Sequence, residues 1–321
     1  MKKLYKKTWF LLFCLILVAL PRFNRNQIFF KRPQADMAIH TAMVDYYRSG
    51  TVDDILLSKD SVAANWRPLF PYIASLIPLS AITSLSILGI LSIFLSVMIL
   101  KKNLHLMNIP EKRIFQGTYL FIFSFPSFYY TTIGYVDPGL IMMLTLGLYF
   151  CITDRLLFFM AVIAIGVFMK EGIIVLIPVL FFYLYKSNKN LLRLFLFPSC
   201  ATILYIVCSL IIRENAINSS ESYQLFWSPS IEMIKYNLNR PNSWLSLFAV
   251  LGIPLGIIIN NHKKLRSLIV KNIFVIPLIS GILISVLMYC FAFVSTVADG
   301  RTLWASYPFI IPLAVLLMNN E

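Results

Sequence analysis

Long apolar runs separated by short polar segments dominate this sequence of 321 residues and restrict it to a few fold classes. Apolar residues make up 59% of the chain and charged residues 13%, whereas a soluble domain carries about 25% charged residues. The runs are continuous, while the strands of a membrane barrel alternate polar and apolar residues over about 10 positions. The sequence therefore predicts an all-α, polytopic transmembrane helical bundle that forms a single domain over residues 1–321.

Ten apolar runs are the predicted membrane spans. They cover residues 8–20, 82–100, 114–131, 138–153, 156–169, 172–185, 194–212, 244–259, 273–294 and 303–318. Several runs are shorter than the roughly 20 residues that a straight helical crossing needs. The first run follows four lysines, as in a signal peptide. No small-x-small cleavage site comes after it, so we predict a first helix that is retained.

The distribution of charge predicts how these spans are oriented. With a cytoplasmic amino terminus, the inner segments hold 16 Lys and Arg against three acids, and the outer segments hold 12 against 11. Short basic loops on the inner side are typical of the positive-inside rule. We therefore expect both termini in the cytoplasm, a bacterial inner membrane, and outer loops at residues 22–65 and 213–243. The net charge of +14 does not indicate a nucleic-acid partner, because the basic residues lie in these short loops.

The first predicted outer loop contains a candidate catalytic carboxylate. Asp36 leads a stretch without proline or glycine that ends at Gly50, which predicts an amphipathic helix on the outer surface of the membrane. Asp36 and His40 are four residues apart and share one face of this helix with Met43 and Tyr47. Asp36 is either a cap, since the helix dipole favours a carboxylate in the first turn, or a general base or metal-binding group.

Two very short turns between apolar runs also carry charge. Asp137 precedes Pro138 ahead of the fourth span, and Lys170 and Glu171 lie between the fifth and sixth spans. If each run crosses the membrane once, both turns emerge on the same side. Ionisable groups at a membrane boundary cost free energy and often mark function. The alternatives are that Asp137 caps the helix that follows it, and that Lys170 and Glu171 form a solvated surface turn.

Three cations lie on the predicted outer side. Arg67 lies beside Pro68, Lys170 occupies the second short turn, and Arg301 opens the last span within Asp299-Gly300-Arg301. Guanidinium groups bind phosphate through paired hydrogen bonds, so this set suits the phosphate or pyrophosphate of a lipid carrier. The alternatives are an aromatic interface anchor around Arg67 and the binding of ordinary anionic lipid headgroups.

Several common functional motifs are absent from the sequence. It contains no Walker A loop, no dinucleotide-binding fingerprint, no His-Glu-x-x-His motif and no nucleophile elbow. The five cysteines all fall within apolar runs and lack metal-site spacing, so we expect no disulfides. These observations argue against a nucleotide-driven pump and against a nucleotide-sugar enzyme of the soluble type.

In order and spacing, the charged motifs resemble those of the GT-C class of integral-membrane glycosyltransferases, and in particular its smaller bacterial members. The motifs are Asp36 in the first loop, Arg67-Pro68-Leu69-Phe70-Pro71, Gly134-Tyr135-Val136-Asp137, Lys170-Glu171-Gly172, and Arg301 before a proline-containing span. The resemblance implies that a sugar moves from a polyprenyl-phosphate carrier to a glycan or lipid acceptor of the cell envelope. It also implies an active site on the extracytoplasmic face.

The resemblance further implies residue roles. Asp36 takes the role of catalytic base, and Asp137 and Glu171 are its catalytic partners or metal contacts. The expected substrate-binding residues are His40, Tyr47, Arg67, Tyr135, Lys170 and Arg301, of which the three cations hold the lipid phosphate. A divalent metal is one option and the metal ligands are left undefined, because Asp36 has no acidic neighbour where many members of the class have a paired acid.

Two other functions remain open at this stage. A polysaccharide polymerase or ligase shares the topology and the lipid-linked substrates, but we would expect a larger outer loop with several arginines, and residues 213–243 contain two. A flippase for lipid-linked glycans would place the charges of the two short turns along a translocation path. Convergence of these charges with Asp36 and Arg301 in one cavity would favour the transferase.

Overall fold

The computed structural model describes residues 8–28, 35–58, 62–217 and 229–318. Within these ranges the chain forms helices and turns without a β-strand, which confirms the all-α prediction. The lysines ahead of the first helix lie outside the described residues. Parts of both predicted outer loops, 22–65 and 213–243, also lie outside them.

The helices follow one another with short connections. In chain order they are α1 (Thr8–Ile28), α2 (Ala35–Ser49), α3 (Asp54–Leu57), α4 (Val62–Asn65), α5 (Leu69–Ser75), α6 (Ala81–Leu106), α7 (Glu111–Ile122), α8 (Phe125–Tyr129), α9 (Asp137–Ile152), α10 (Leu156–Met169), α11 (Leu176–Lys186), α12 (Leu191–Glu214), α13 (Ile231–Asn239), α14 (Pro241–Asn260), α15 (His262–Lys271), α16 (Val275–Ser295) and α17 (Tyr307–Leu317). Two 3₁₀ segments, Glu171–Val175 and Gly300–Ser306, lead directly into α11 and α17.

Within the described ranges, six helical segments are long and apolar enough to cross a membrane. They are Thr8–Arg25, Ala81–Leu106, Leu191–Glu214, Pro241–Asn260, Val275–Ser295 and Gly300–Leu317. Helices α9 and α10 are also apolar but shorter. These helices are compatible with an integral membrane protein, while the count of ten spans and the sidedness of the termini stay predictions.

The third predicted span differs most from the structure. Residues 114–131 do not form one helix, because α7 ends at Ile122 and α8 starts at Phe125. Ser124 lies between them, and its hydroxyl accepts the backbone N–H of Ser127 at 3.3 Å as a helix cap. Pro126 occupies the first turn of α8, where a missing N–H costs nothing. A new helix start therefore interrupts an apolar run that reads as continuous in sequence.

The predicted helix of the first loop is present as α2. It ends at Ser49, and Gly50 follows with a φ of 73°, the left-handed conformation that glycine adopts without strain. The N–H of Gly50 donates to the carbonyl oxygen of Tyr46 at 2.8 Å. The buried face of α2 packs against α5 and α6. Its position on the outer surface of a membrane stays a prediction.

Helix α9 lies in the centre of the bundle, where it packs along α6, α10 and α11. Its core-facing side chains Leu140, Ile141 and Leu144 are each at most 2% exposed. A tight turn at Asp154 reverses the chain between α9 and α10. Because α9 and α10 are antiparallel, the start of α9 lies beside the end of α10. Asp137 and Lys170 therefore lie at the same end of the bundle, as the sequence predicts.

Gly89 marks the closest approach of α6 to the segment before α9. A Cβ atom at this position would overlap the backbone carbonyl oxygen of Thr131 and lie 3.6 Å from the ring of Pro138. Because a backbone carbonyl cannot rotate away, we expect Gly89→Ala to lower the free energy of unfolding by about 1–3 kcal/mol. Denaturation by sodium dodecyl sulfate in mixed micelles measures this difference.

Gly252→Ala is the matched control for this prediction. Gly252 also lies inside a helix, α14, but nothing lies within 4 Å of its added Cβ atom. Alanine there is expected to be neutral or to stabilise the helix by up to about 1 kcal/mol. Equal stability of the two variants would contradict the close packing at Gly89.

Candidate functional site

The first part of the site is an ion pair between the two ends of the chain. Asp36 lies in the first turn of α2, and Arg301 lies in the 3₁₀ segment before α17, 265 residues further on. The Nη1 atom of Arg301 donates to Oδ2 of Asp36 at 2.8 Å. The carboxylate of Asp299 accepts the backbone N–H of Arg301 at 2.9 Å and so fixes the start of this segment.

The second part of the site is a buried pair between the two short turns. The Nζ atom of Lys170 donates to Oδ1 of Asp137 at 2.6 Å, and these side chains are 10% and 5% exposed. The other oxygen of Asp137 lies 3.8 Å from Nε of Arg301. Asp137 makes no capping hydrogen bond, because Val136 occupies the cap position of α9. The capping alternative for Asp137 is therefore wrong, and Lys170 is not a solvated surface residue.

The third part of the site is a bidentate pair. The Nε and Nη2 atoms of Arg67 donate to the two oxygens of Glu171 at 2.9 and 2.6 Å. The hydroxyl of Tyr205 donates to the backbone oxygen of Glu171 at 3.3 Å. Two parallel hydrogen bonds of this kind define the orientation of both side chains. The sequence predicts that Arg67 binds the phosphate of a lipid. In the structure its guanidinium binds the carboxylate of Glu171 instead.

Tyr135, His40 and Tyr47 of the predicted site differ in how they relate to the ion pairs. The guanidinium of Arg301 lies 4.2 Å from the ring centre of Tyr135, a cation–π contact. His40 is 2% exposed, and neither ring nitrogen has a hydrogen-bond partner among the described residues. Tyr47 does not join the ion pairs. Its ring packs 5.5 Å from that of Tyr72 and lines a separate cavity of about 370 Å³.

Burial and charge act on Asp36 and His40 in different ways. Burial opposes ionisation of Asp36, but the positive charge of Arg301 and its hydrogen bond outweigh that effect and lower the pKa to about 2. Burial lowers the pKa of His40 to about 4, although the negative charge of Asp36 opposes the change. At neutral pH, Asp36 is therefore a carboxylate and His40 is a neutral imidazole.

The shift at His40 predicts a loss of stability in mild acid. The pKa of His40 is about 4 in the folded chain and about 6.5 when exposed in the unfolded chain. The unfolded state therefore binds more protons between these values, so stability is complete above about pH 6.5 and declines as the pH falls towards about 4. We expect His40 to account for about 2 kcal/mol of lost unfolding free energy between about pH 7.5 and pH 5.

Denaturation at both pH values, with His40→Gln for comparison, checks this expectation. Glutamine is neutral at both pH values and of similar size, so the variant should lose less stability on acidification than the wild type. His105→Gln and His262→Gln, at the two exposed histidines of the chain, are the matched controls. An acid dependence that is the same in His40→Gln and in the wild type would refute the role of this imidazole.

The structure also bears on the divalent-metal option. Residues 8–28, 35–58, 62–217 and 229–318 contain no group of three or more His, Cys, Asp or Glu side chains that could hold a metal ion. The Asp36, Asp137 and Asp299 carboxylates lie 2.8, 3.8 and 3.9 Å from nitrogen atoms of Arg301. The guanidinium thus occupies the position between carboxylates that a divalent cation needs. These residues do not fit a resident metal.

A cavity of about 540 Å³ lies next to Tyr135 and Asp299, two residues that contact Arg301. Its walls are Phe125, Tyr129, Tyr130, Tyr135, Arg240, Asn242, Leu245, Ser246, Ala249 and Asp299. Tyr135 and Asp299 also contact Arg301, so two walls of the cavity touch the cation that pairs with Asp36. The sequence interpretation did not select Arg240. Its signal was the dipeptide Arg240-Pro241 ahead of an apolar run, the same pattern as Arg67-Pro68.

Comparison with known proteins finds no family model, no curated protein and no solved structure that matches this chain. The resemblance to GT-C enzymes therefore depends on the short motifs in the sequence. The case for a function depends on how the described residues are arranged around Arg301 and on the cavity beside it.

Proposed function

We propose that this protein is an integral-membrane glycosyltransferase that moves a sugar from a polyprenyl-phosphate carrier to a hydroxyl of a cell-envelope acceptor. The observation that carries the proposal is the meeting of Asp36, Asp137 and Glu171 with three cations at one end of the bundle. Displacement at a sugar carbon needs a base for the acceptor hydroxyl and positive charge near the departing phosphate. The proposal places this end of the bundle on the extracytoplasmic face of a bacterial inner membrane.

In this mechanism Asp36 is the base. Its side chain is 45% exposed, against 35% for Glu171 and 5% for Asp137, so it is the carboxylate that an acceptor reaches most easily. A carboxylate with a pKa of about 2 is a weak base towards an intact hydroxyl. The proton moves to Asp36 as the acceptor oxygen bonds to the anomeric carbon, because bond formation acidifies the hydroxyl. The bond from the anomeric carbon to the phosphate oxygen breaks, and its electron pair leaves with polyprenyl phosphate.

Asp137 and Glu171 act as positioning residues in this proposal. Asp137 contacts both Lys170 and Arg301, and Glu171 holds Arg67 through two hydrogen bonds. Both oxygens of each lie within 4 Å of a cation, whereas the hydrogen bond from Arg301 to Asp36 is made to Oδ2 and leaves the second oxygen of Asp36 to take a proton from an acceptor. Asp137 and Glu171 thus hold the cations close to Asp36. This arrangement supports Asp36 as the base and the other two carboxylates as positioning residues.

The surroundings of the ion pairs support a transferase over a flippase. Beyond Asp137, α9 continues with Leu140, Ile141 and Leu144, which are buried in an apolar core. A translocation path would need polar groups along this direction. At the opposite end of α9, Asp154 pairs with Lys189 at 2.9 Å as a separate charged group. A polymerase or ligase acting on the same lipid-linked sugars is the remaining alternative.

Transfer in membrane vesicles tests this proposal. Right-side-out vesicles that contain the full-length protein are loaded with radiolabelled lipid-linked sugars, and label is followed from the organic-extractable fraction into glycan or glycolipid. We expect transfer that requires the protein and stops when the lipid carrier is hydrolysed beforehand. Transfer that continues from a soluble nucleotide sugar after that treatment would overturn the proposal.

A further inference from the structure

The three cations expected to hold the lipid phosphate already have partners in the protein. The pairs are Arg67–Glu171, Lys170–Asp137 and Arg301–Asp36. With Asp299 beside Arg301 at 3.9 Å, four carboxylates face three cations. A phosphate that approached this group would meet cations whose charge is already offset. A cation outside these pairs would bind a phosphate with less competition from protein carboxylates and would add to their positive charge.

Arg240 has the properties of that cation. It directly precedes α14 and lines the cavity of about 540 Å³ together with Tyr135 and Asp299. Its Nη1 atom is buried and has no hydrogen-bond partner among the described residues. A buried donor on a charged group without an acceptor is costly. Within the described part of the chain no carboxylate forms an ion pair with Arg240, so a phosphate in the cavity that its side chain lines would meet a guanidinium able to form charge-assisted hydrogen bonds.

The remaining walls of the cavity suit a sugar. Tyr129, Tyr130 and Tyr135 provide aromatic rings and hydroxyl groups, and Asn242 adds an amide. Apolar and aromatic walls with a few polar groups are typical of small-molecule sites of 300–1,000 Å³. Because Tyr135 contacts Arg301, a sugar ring held against Tyr135 would lie beside the Asp36–Arg301 pair.

One side of the cavity borders an apolar surface. Leu245 lines the cavity and is 66% exposed, and Phe248 on the next turn of α14 is 67% exposed. Exposed apolar side chains on a helix long enough to cross a membrane are suited to contact with lipid chains. A ligand with its phosphate at Arg240 could extend an isoprenoid chain along this surface. This arrangement points to a membrane-anchored phosphate rather than a free one.

We infer that this cavity binds the sugar-phosphate headgroup of a polyprenyl-phosphate lipid, with Arg240 as the phosphate ligand. The inference rests on the proposed function and adds a residue that the motifs did not indicate. Transfer converts the phosphate diester of the donor into a monoester that carries more negative charge. A cation that is not offset by a protein carboxylate stabilises that departing group.

Binding of farnesyl phosphate to the full-length protein in phosphatidylcholine nanodiscs tests the inference. Phosphorus NMR line broadening, corrected with empty nanodiscs, gives the affinity. Arg240→Ala is expected to weaken binding about 10- to 100-fold through loss of a charged hydrogen bond, and Arg240→Lys less. Ala249→Trp, which fills the cavity and keeps the arginine, should weaken binding as well.

Matched variants of the neighbouring cavities are the controls. Arg213 lies over the ring of Trp66 at 4.7 Å, and Ala216 lines the cavity of about 370 Å³. Arg213→Ala and Ala216→Trp should bind farnesyl phosphate as the wild type does. Unchanged affinity in Arg240→Ala, or a loss confined to these two controls, would overturn the inference. Equal affinity for glucose 1-phosphate would overturn the assignment to a membrane lipid.

The Asp36→Asn variant separates failure of this inference from failure of the proposed function. It is expected to bind farnesyl phosphate normally and to transfer no sugar. If the wild-type protein transfers no sugar from the lipid carrier, the proposed function fails whatever Arg240 binds, and full transfer by Asp36→Asn rejects only the assignment of the base. If Asp36→Asn is inactive while Arg240→Ala keeps full affinity, the function stands and only the assignment of Arg240 is rejected.

Discussion

Asp36→Asn is expected to reduce sugar transfer by about 10²- to 10⁴-fold, the range that a positioned general base contributes. The amide cannot accept the proton of the acceptor hydroxyl. It keeps an oxygen that can accept the hydrogen bond from Nη1 of Arg301. In the wild type this nitrogen lies 2.8 Å from Oδ2 of Asp36. The position of Arg301 should therefore be kept, and the protein should express and insert normally. Initial rates of transfer in the vesicle assay give the factor.

Asp45→Asn is the matched control for the loss of one carboxylate from α2. The side chain of Asp45 is 61% exposed and lies 3.8 Å from Arg48 in an ion pair along the helix. An exposed pair of this kind contributes about 0–1 kcal/mol, so this variant should transfer sugar at the wild-type rate. Full activity in Asp36→Asn would reject the assignment of the base. An equal loss in Asp45→Asn would show that the charge of α2, and not the position of Asp36, matters.

Lys170→Met is expected to lower the free energy of unfolding by about 3–5 kcal/mol, as for other buried pairs that lose one partner. The side chain of Asp137 is 5% exposed, and in the wild type its carboxylate accepts a hydrogen bond from Nζ of Lys170 at 2.6 Å. The variant removes this donor and leaves the carboxylate buried. The nearest remaining cation is Arg301, whose Nε atom lies 3.8 Å away. Since Met has nearly the shape of Lys, the loss reports the unpaired charge rather than a cavity. Denaturation in mixed micelles measures it.

A double-mutant cycle with Asp137→Asn isolates the pair. The double variant no longer buries an uncompensated carboxylate. Its loss of unfolding free energy should therefore be smaller than the sum of the losses in the two single variants. Lys189→Met is the control, because the Lys189–Asp154 pair at 2.9 Å has side chains that are 31% and 33% exposed. Exposed pairs contribute about 0–1 kcal/mol. Strict additivity in the cycle, or equal losses in Lys170→Met and Lys189→Met, would contradict a buried pair at Asp137.

Local signals in the sequence predicted individual helices well where the signals agreed. Helix α2 ends before Gly50 and α10 spans Leu156–Met169, as the sequence pattern predicts. A left-handed glycine and short polar turns terminate helices through local geometry. The run at 114–131 was misread. Hydropathy treats Ser124 and Pro126 as minor interruptions, although a hydroxyl cap and a proline together begin a new helix.

The site was predicted as a set of residue types but not as a set of contacts. The sequence predicts Arg67, Lys170 and Arg301 on the outer side of a membrane, which stays a prediction. In the structure each of them is paired with a carboxylate that the sequence could not assign to it. Tyr47 shares a helix face with His40 but contacts Tyr72 instead of the ion pairs. Helical periodicity defines which residues share a face. The packing partner of that face depends on distant helices.

The sequence by itself determined that this chain is a bundle of apolar helices with its few charges at their ends, because charge within an apolar helix is costly wherever the helix packs. Only the tertiary structure decided which charge meets which. An ion pair such as Asp36–Arg301 requires two groups 265 residues apart to lie 2.8 Å from each other. That separation depends on how all the intervening helices pack. The same packing brings Arg240 to the wall of the cavity next to Tyr135 and Asp299.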